Sequence, residues 1–117
     1  MGREYKIDIH SMTQAVAASG VEYTQPIPLT GSQGFFSMMV GVTGSGEVDL
    51  EYEVSNTETA PEVWVSPSGA TSIATGLTAG NHFYPIELPA IALKMRLKIT
   101  ESGGTDPVSV ILKVAIQ

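Results

Sequence analysis

The sequence predicts an all-β domain: an antiparallel two-sheet sandwich of jelly-roll type with about eight short strands. Three observations carry this expectation. Apolar and polar residues alternate with period two in several separate stretches, as in strands with one buried face. Twelve glycines and seven prolines punctuate the chain with turns. No stretch shows the apolar spacing of a helix of ordinary length. At 117 residues the chain is expected to form one domain around one core.

Taken in order, Glu4 to His10 reads as a first strand, with Tyr5, Ile7 and Ile9 on one face. Residues 11–20 fit either a short helical turn stopped by Gly20 or an extended arm on a neighbouring molecule. Their small side chains bury little, and Met12 and Gln14 are the candidate contacts there. Val21 to Thr30 is strand-like but carries Pro26 and Pro28, which lack ladder donors and confine it to a sheet edge. Gly34 to Ser55 is expected to be the organising hairpin. Its second arm sets Val48, Leu50, Tyr52 and Val54 against Asp49, Glu51 and Glu53, and Thr43-Gly44-Ser45-Gly46 supplies the return.

Residues 56–82 read as a long irregular connection, strand-like only around Trp64, and such connections are usually functional or wrapped on the body. Phe83 to Leu88 is a short strand broken by Pro85. Ala92 to Thr100 and Val108 to Ile116 alternate cleanly, and residues 101–107 between them have the composition of a hairpin loop.

Composition excludes several classes. With 43% hydrophobic and 15% charged residues the chain is no disordered tail, and so little charge suits a surface partly covered by partners. A net charge of −6 repels nucleic acid and anionic membranes, so neither is an expected partner. The absence of cysteine excludes disulfides, thiolate metal sites and cysteine nucleophiles. The start MGREYKIDIH lacks the apolar core of a secretory signal, and Lys6 stands where myristoylation needs Ser or Thr. Synthesis in a bacterial cytoplasm as a soluble product is the expectation.

No nucleophile elbow, zinc-binding helix motif or phosphate loop is present, so an enzyme is not expected and no cofactor is implied. His10 and His82 read as surface or strand-end residues. Asp49, Glu51 and Glu53 form an acidic comb; Lys94, Arg96 and Lys98 form a basic one. The combs fit either cross-strand pairs on a solvated face or an interface in which one subunit's acids meet another's bases. Calcium is disfavoured, because alternate strand positions diverge too far to chelate one ion. Trp64 and Tyr84 are candidates for an exposed aromatic platform that stacks on sugars. The cost of leaving such a ring in water favours Trp64 as a plug at one end of the core.

Further residues carry a family resemblance. Glu47 to Ser55, Ser66 to Gly80, the Phe83-Tyr84 pair, Ala92 to Thr100 and Val108 to Gln117, closing on Ala-Ile-Gln, resemble small structural proteins of tailed-bacteriophage virions. About half of the chain is covered. The resemblance implies a β-sandwich located in the virion, with a capsid decoration (cement) protein on the capsid surface as the leading expectation. It also implies the major capsid protein or other virion proteins as partners and a homo-oligomer, with a trimer favoured. A tail, baseplate or head-fibre module is the alternative, and a carbohydrate-binding domain is the alternative of another class. No catalytic residue follows from the resemblance.

Overall fold

The computed structural model describes residues 7–67, 72–86 and 89–117. Its strands pair as a nested set. The outermost pair joins β1 (Asp8–Val16) to β9 (Val108–Ile116). Inside it, β2 (Val21–Tyr23) and β3 (Ile27–Pro28) both pair with β8 (Lys94–Glu101). Next come β4 (Phe36–Gly44) with β7 (Gly80–Ile86), and β5 (Val48–Ser55) with β6 (Ser72–Leu77). A chain paired this way is one long antiparallel ribbon with β5 and β6 at its tip. Rolling the ribbon adds β4·β9 and β5·β8 and gives two sheets, β1-β9-β4-β7 and β2-β8-β5-β6, with β3 also on β8. This is the jelly-roll sandwich that the sequence predicts.

Alternation places the core. Val108, Val110, Leu112, Val114 and Ile116 of β9 face Met95, Leu97 and Ile99 of β8, all buried. Phe36 and Tyr52 bridge the sheets edge to face, with ring centroids 5.5 Å apart. Each such side chain contributes about 1.5–3 kcal/mol on burial. β2 and β3 are two halves of one edge strand. Between them Thr24 donates its N–H to Leu97 O, and its Oγ1 accepts the Leu97 N–H at 2.9 Å, so a hydroxyl keeps the ladder satisfied at the break. Pro26 and Pro28 lie on this edge, as their missing donors require.

Four sequence expectations are corrected. Gly34 to Ser55 is not a hairpin, because β4 and β5 belong to different sheets and the Gly-rich segment arches across the core. Residues 101–107 are the same kind of arch, between β8 and β9. Local sequence does not separate the two cases: both need alternating arms and a tight return. Residues 11–20 are neither helical turn nor free arm, since β1 runs to Val16 and stays in register with β9 throughout. Within the supposed irregular connection residues 72–77 form a strand, and the strand expected from Phe83 already begins at Gly80. Register shifts opposite Val48–Glu51 hide the period of β6, and Gly80 and Pro85 interrupt that of β7. Tyr5 and Leu88, which those expectations also involved, lie outside the described residues.

Three sheet-to-sheet crossings, β1→β2, β4→β5 and β8→β9, meet at one end of the sandwich around Glu101. This residue follows Leu97 and Ile99 on the inward parity of β8 and is 2% exposed. Its carboxylate accepts four backbone N–H groups: Ser19 at 3.0 Å, Glu47 at 2.9 Å, Gly103 at 2.8 Å and Gly104 at 2.7 Å. Ser19 (φ 59°) and Gly104 (φ 83°) adopt left-handed backbone there, and a Cβ on Gly46 would lie 2.7 Å from Asp106 O. The N–H donors, led by those of Ser19 and Glu47, hold the Glu101 pKa down at about 2 against an ordinary value of 4.5.

The sign follows from linkage. A carboxylate depressed in the folded state contributes its full stabilisation above about pH 4.5 and loses it progressively as the pH falls toward 2. Glu101→Gln replaces an acceptor with an N–H₂ group facing backbone donors, so it lowers the melting temperature at neutral pH. The gap between wild type and variant closes between pH 4.5 and 2 in thermal melts followed by circular dichroism. A variant gap that does not change with pH contradicts this role.

Candidate protein-binding face

The two outer faces of the sandwich differ in kind. On the second sheet the combs are cross-strand neighbours within one molecule: Glu51 opposite Lys98, Glu53 opposite Arg96, Asp49 opposite Thr100. Arg96 Nη2 lies 2.7 Å from Glu53 Oε1, and Lys94 Nζ lies 3.1 Å from Glu62 Oε1. The hydrogen bond from Lys94 holds the Glu62 carboxyl below its usual range. Asp49 Oδ1 accepts from Gly76 N at 2.8 Å and Ser102 Oγ at 3.1 Å, tying the ribbon tip to the β8–β9 arch. The combs therefore have the geometry of cross-strand pairs within the sheet.

Trp64 does not plug the core. The chain after β5 turns back, and Val65 pairs with Val54 through two backbone hydrogen bonds, continuing the β5 edge beyond the end of β6. This lays Trp64 over Arg96, whose guanidinium carbon is 4.6 Å from the indole and 4.0 Å from the Tyr23 ring on the other strand neighbour. The indole covers a cation and is half-buried. Tyr84 faces inward on β7 and packs against the core, so it forms no platform with Trp64. Met12 also packs against the core, and Gln14 Nε2 donates to Ala15 O. His10 is half-buried on β1 and His82 Nε2 donates to Thr78 O at 3.0 Å, so the histidines do not meet. Among the described residues no group of three His, Cys, Asp or Glu gathers as a metal site.

The outer face of the first sheet carries little charge and exposes several large apolar side chains among small polar ones. Register aligns Phe83, Met39, Lys113 and Ser11 in one row across β7, β4, β9 and β1, and Asn81, Gly41, Ile111 and Thr13 in the next. Phe83 is 60% exposed, Ile9 59%, Met39 53% and Ile111 47%. Lys113 is the one charged side chain among the outward positions of these four strands. Gly41, without a side chain, opens a recess of about 200 Å³ between Met39, Ile111, Lys113 and Asn81. Large exposed apolar side chains on a face with so little charge suit an interaction surface.

Sequence reasoning did not select this face. Part of the signal was present in β4, where Met39 stands on the parity of Ser37 and Gly41, and in the Tyr5–Ile7–Ile9 comb. Ile9 is exposed because it lies on the outward parity of β1, opposite Ala115, while His10, Met12, Gln14 and Val16 face the core; Ile7, just before the strand, is exposed as well.

No family model matches the chain, and no curated protein matches it in sequence. Among solved structures, Aeromonas hydrophila PliG, a periplasmic lysozyme inhibitor of g-type lysozyme, aligns over 93% of this chain and 86% of its own. Identity is 16% and the TM-score 0.51. The structure of infectious bursal disease virus Gx strain aligns over 96% of this chain and 32% of its own, at 18% identity and a TM-score of 0.37. The first likeness is one of fold alone. The second is too loose to carry an argument.

The Trp64–Arg96–Tyr23 stack predicts a measurable coupling. Arg96→Ala removes the Glu53 ion pair and both ring contacts, and is expected to cost about 1–2 kcal/mol in urea unfolding. Trp64 is the single tryptophan, so its emission should shift to the red in the folded variant. Unchanged emission would show that the indole does not rest on Arg96.

Proposed function

We propose that the chain is a non-enzymatic structural protein of a tailed-bacteriophage virion, a decoration protein that lies on the major capsid lattice. The observation that carries this reading is the weakly charged face of the first sheet with its exposed Phe83, Met39, Ile111 and Ile9, opposite a second face that holds the Arg96 and Lys94 ion pairs and is partly covered by the chain itself. A protein that works by lying against others needs such a surface, and the family resemblance supplies the virion setting. Binding along a lattice would stabilise both parties by mass action. In this reading the recess at Gly41 receives an apolar side chain of the capsid subunit. The fold shared with the lysozyme inhibitor supplies no partner of its own.

The experiment is co-sedimentation of purified protein with empty, expanded heads of the encoding phage, followed by a heat challenge. Wild type is expected to sediment with the heads and raise the temperature at which they open. Met39→Glu/Phe83→Glu alters exposed positions, so it should fold normally and lose binding at least tenfold, about 1.4 kcal/mol or more. Absence of the protein from purified virions would overturn the proposal, as would heads bound equally well by the double variant.

A further inference from the structure

A sandwich of this kind has four edge strands, and three are blunted. The β2–β3 edge is interrupted at residues 24–26 and carries two prolines. β6 is six residues long, with register shifts against β5 and Gly76 at φ 65°. β7 contains Pro85 and begins at Gly80 with φ 138°. β1 has none of these devices. It runs nine residues in unbroken register with β9, lacks proline and glycine, and carries one formal charge, Asp8, at its start. Natural sheets seldom leave so long and regular an edge open unless something pairs with it. Beneath β1 the second sheet draws back, leaving a groove of about 530 Å³ between residues 9–14 and 23–27. Neither wall of that groove contains Asp, Glu, Lys or Arg, so it offers no charge to select a foreign strand.

We propose that the free edge of β1 pairs antiparallel with β1 of a second copy across a two-fold axis at Met12, fusing the two first sheets into one eight-stranded sheet. The strand is self-complementary in that register. Met12 meets Met12, Ser11 meets Thr13, His10 meets Gln14 and Ile9 meets Ala15, so each outer polar residue finds a polar one and no like charges oppose. All nine residues take part, because Met12 is the midpoint of β1. An axis normal to the sheet keeps both second sheets on the same side. The two weakly charged outer faces then become one surface, with Phe83, Met39, Ile111 and Ile9 from each copy on either side of a polar Ser11–Thr13 seam. The interface is isologous, as a two-fold demands. It stands whether or not the partner surface belongs to a capsid.

Sedimentation velocity with light scattering tests it on the full chain. Wild type is expected to be a dimer. Ser11→Glu/Thr13→Glu places acid opposite acid across the axis and should be monomeric. Ser11→Glu/Thr13→Lys places acid opposite base and should remain dimeric. Both positions are exposed, and both variants carry the same Glu beside Lys113, so a folding defect would show as a loss of β signal common to the two. A monomeric wild type overturns the proposal, as does a trimer, which would instead meet the expectation drawn from the resemblance. Two variants that assemble alike overturn the Met12-centred register. Head binding is a separate readout: a dimer that fails to bind heads refutes the virion role and leaves the pairing intact.

Discussion

The fold depends on how one buried carboxylate closes the end of a rolled ribbon. Where a chain crosses from one sheet to the other, its backbone N–H groups leave the ladder without partners, and near a core they cannot rely on water. Four crossings lie at this end of the sandwich, and three of them meet at Glu101. Four of their N–H groups converge on Glu101, whose two oxygens offer about four acceptor sites. A hydroxyl or amide could satisfy only part of that set, and an amide would also present donors. The ionised acid, normally costly inside a protein, is here the group that makes the burial affordable. Glu101 thereby ties the β1–β2, β4–β5 and β8–β9 arches to one another.

That closure explains the division of labour between the faces. Many of the acids engage the molecule itself: Glu101 the arches, Asp49 the ribbon tip, Glu53 the stacked Arg96, Glu62 the end of β8. Residues 62–65 then cover part of the second sheet and place the tryptophan on a cation instead of in the core. Polar chemistry is thus spent inwardly on shape. What faces outward on the first sheet is a mixture: the large apolar Phe83, Met39, Ile111 and Ile9, which gain by leaving water, among small polar residues such as Ser11, Thr13 and Asn81, with Lys113 as the one charge.

The fold class was legible because parity is local. The cores of β8 and β9 can be read directly from Met95–Leu97–Ile99 and from Val108 through Ile116. The edge position of Pro26 and Pro28 follows from their missing donors. Sheet membership was not legible, since Thr43–Gly46 would serve a hairpin or an arch equally well, and the choice is made by Glu101, fifty-four residues beyond Glu47. Trp64 escaped for a similar reason: its partner Arg96 lies on a distant strand. The apolar face was half legible. Tyr5, Ile7 and Ile9 announce an apolar comb, but only the edge position of β1 shows that Ile7 and Ile9 point to solvent.

An open edge and a bare face on the same sheet are liabilities for a molecule that works alone. The chain could have guarded β1 with a lysine or proline, as it guards the β2–β3 edge, at small cost in stability. It could also have placed charge on β4 and β9, whose outward positions are solvent-exposed and hold Lys113 alone. The second sheet shows that this sequence has both acids and bases available and can pair them. Their concentration there, and their near absence from the first sheet, favours a protein whose first sheet is meant to be covered. The constraint also runs in reverse: any partner that covers this face meets strands in continuous register, so the ordering lost on binding there is that of side chains such as Met39, Phe83 and Lys113.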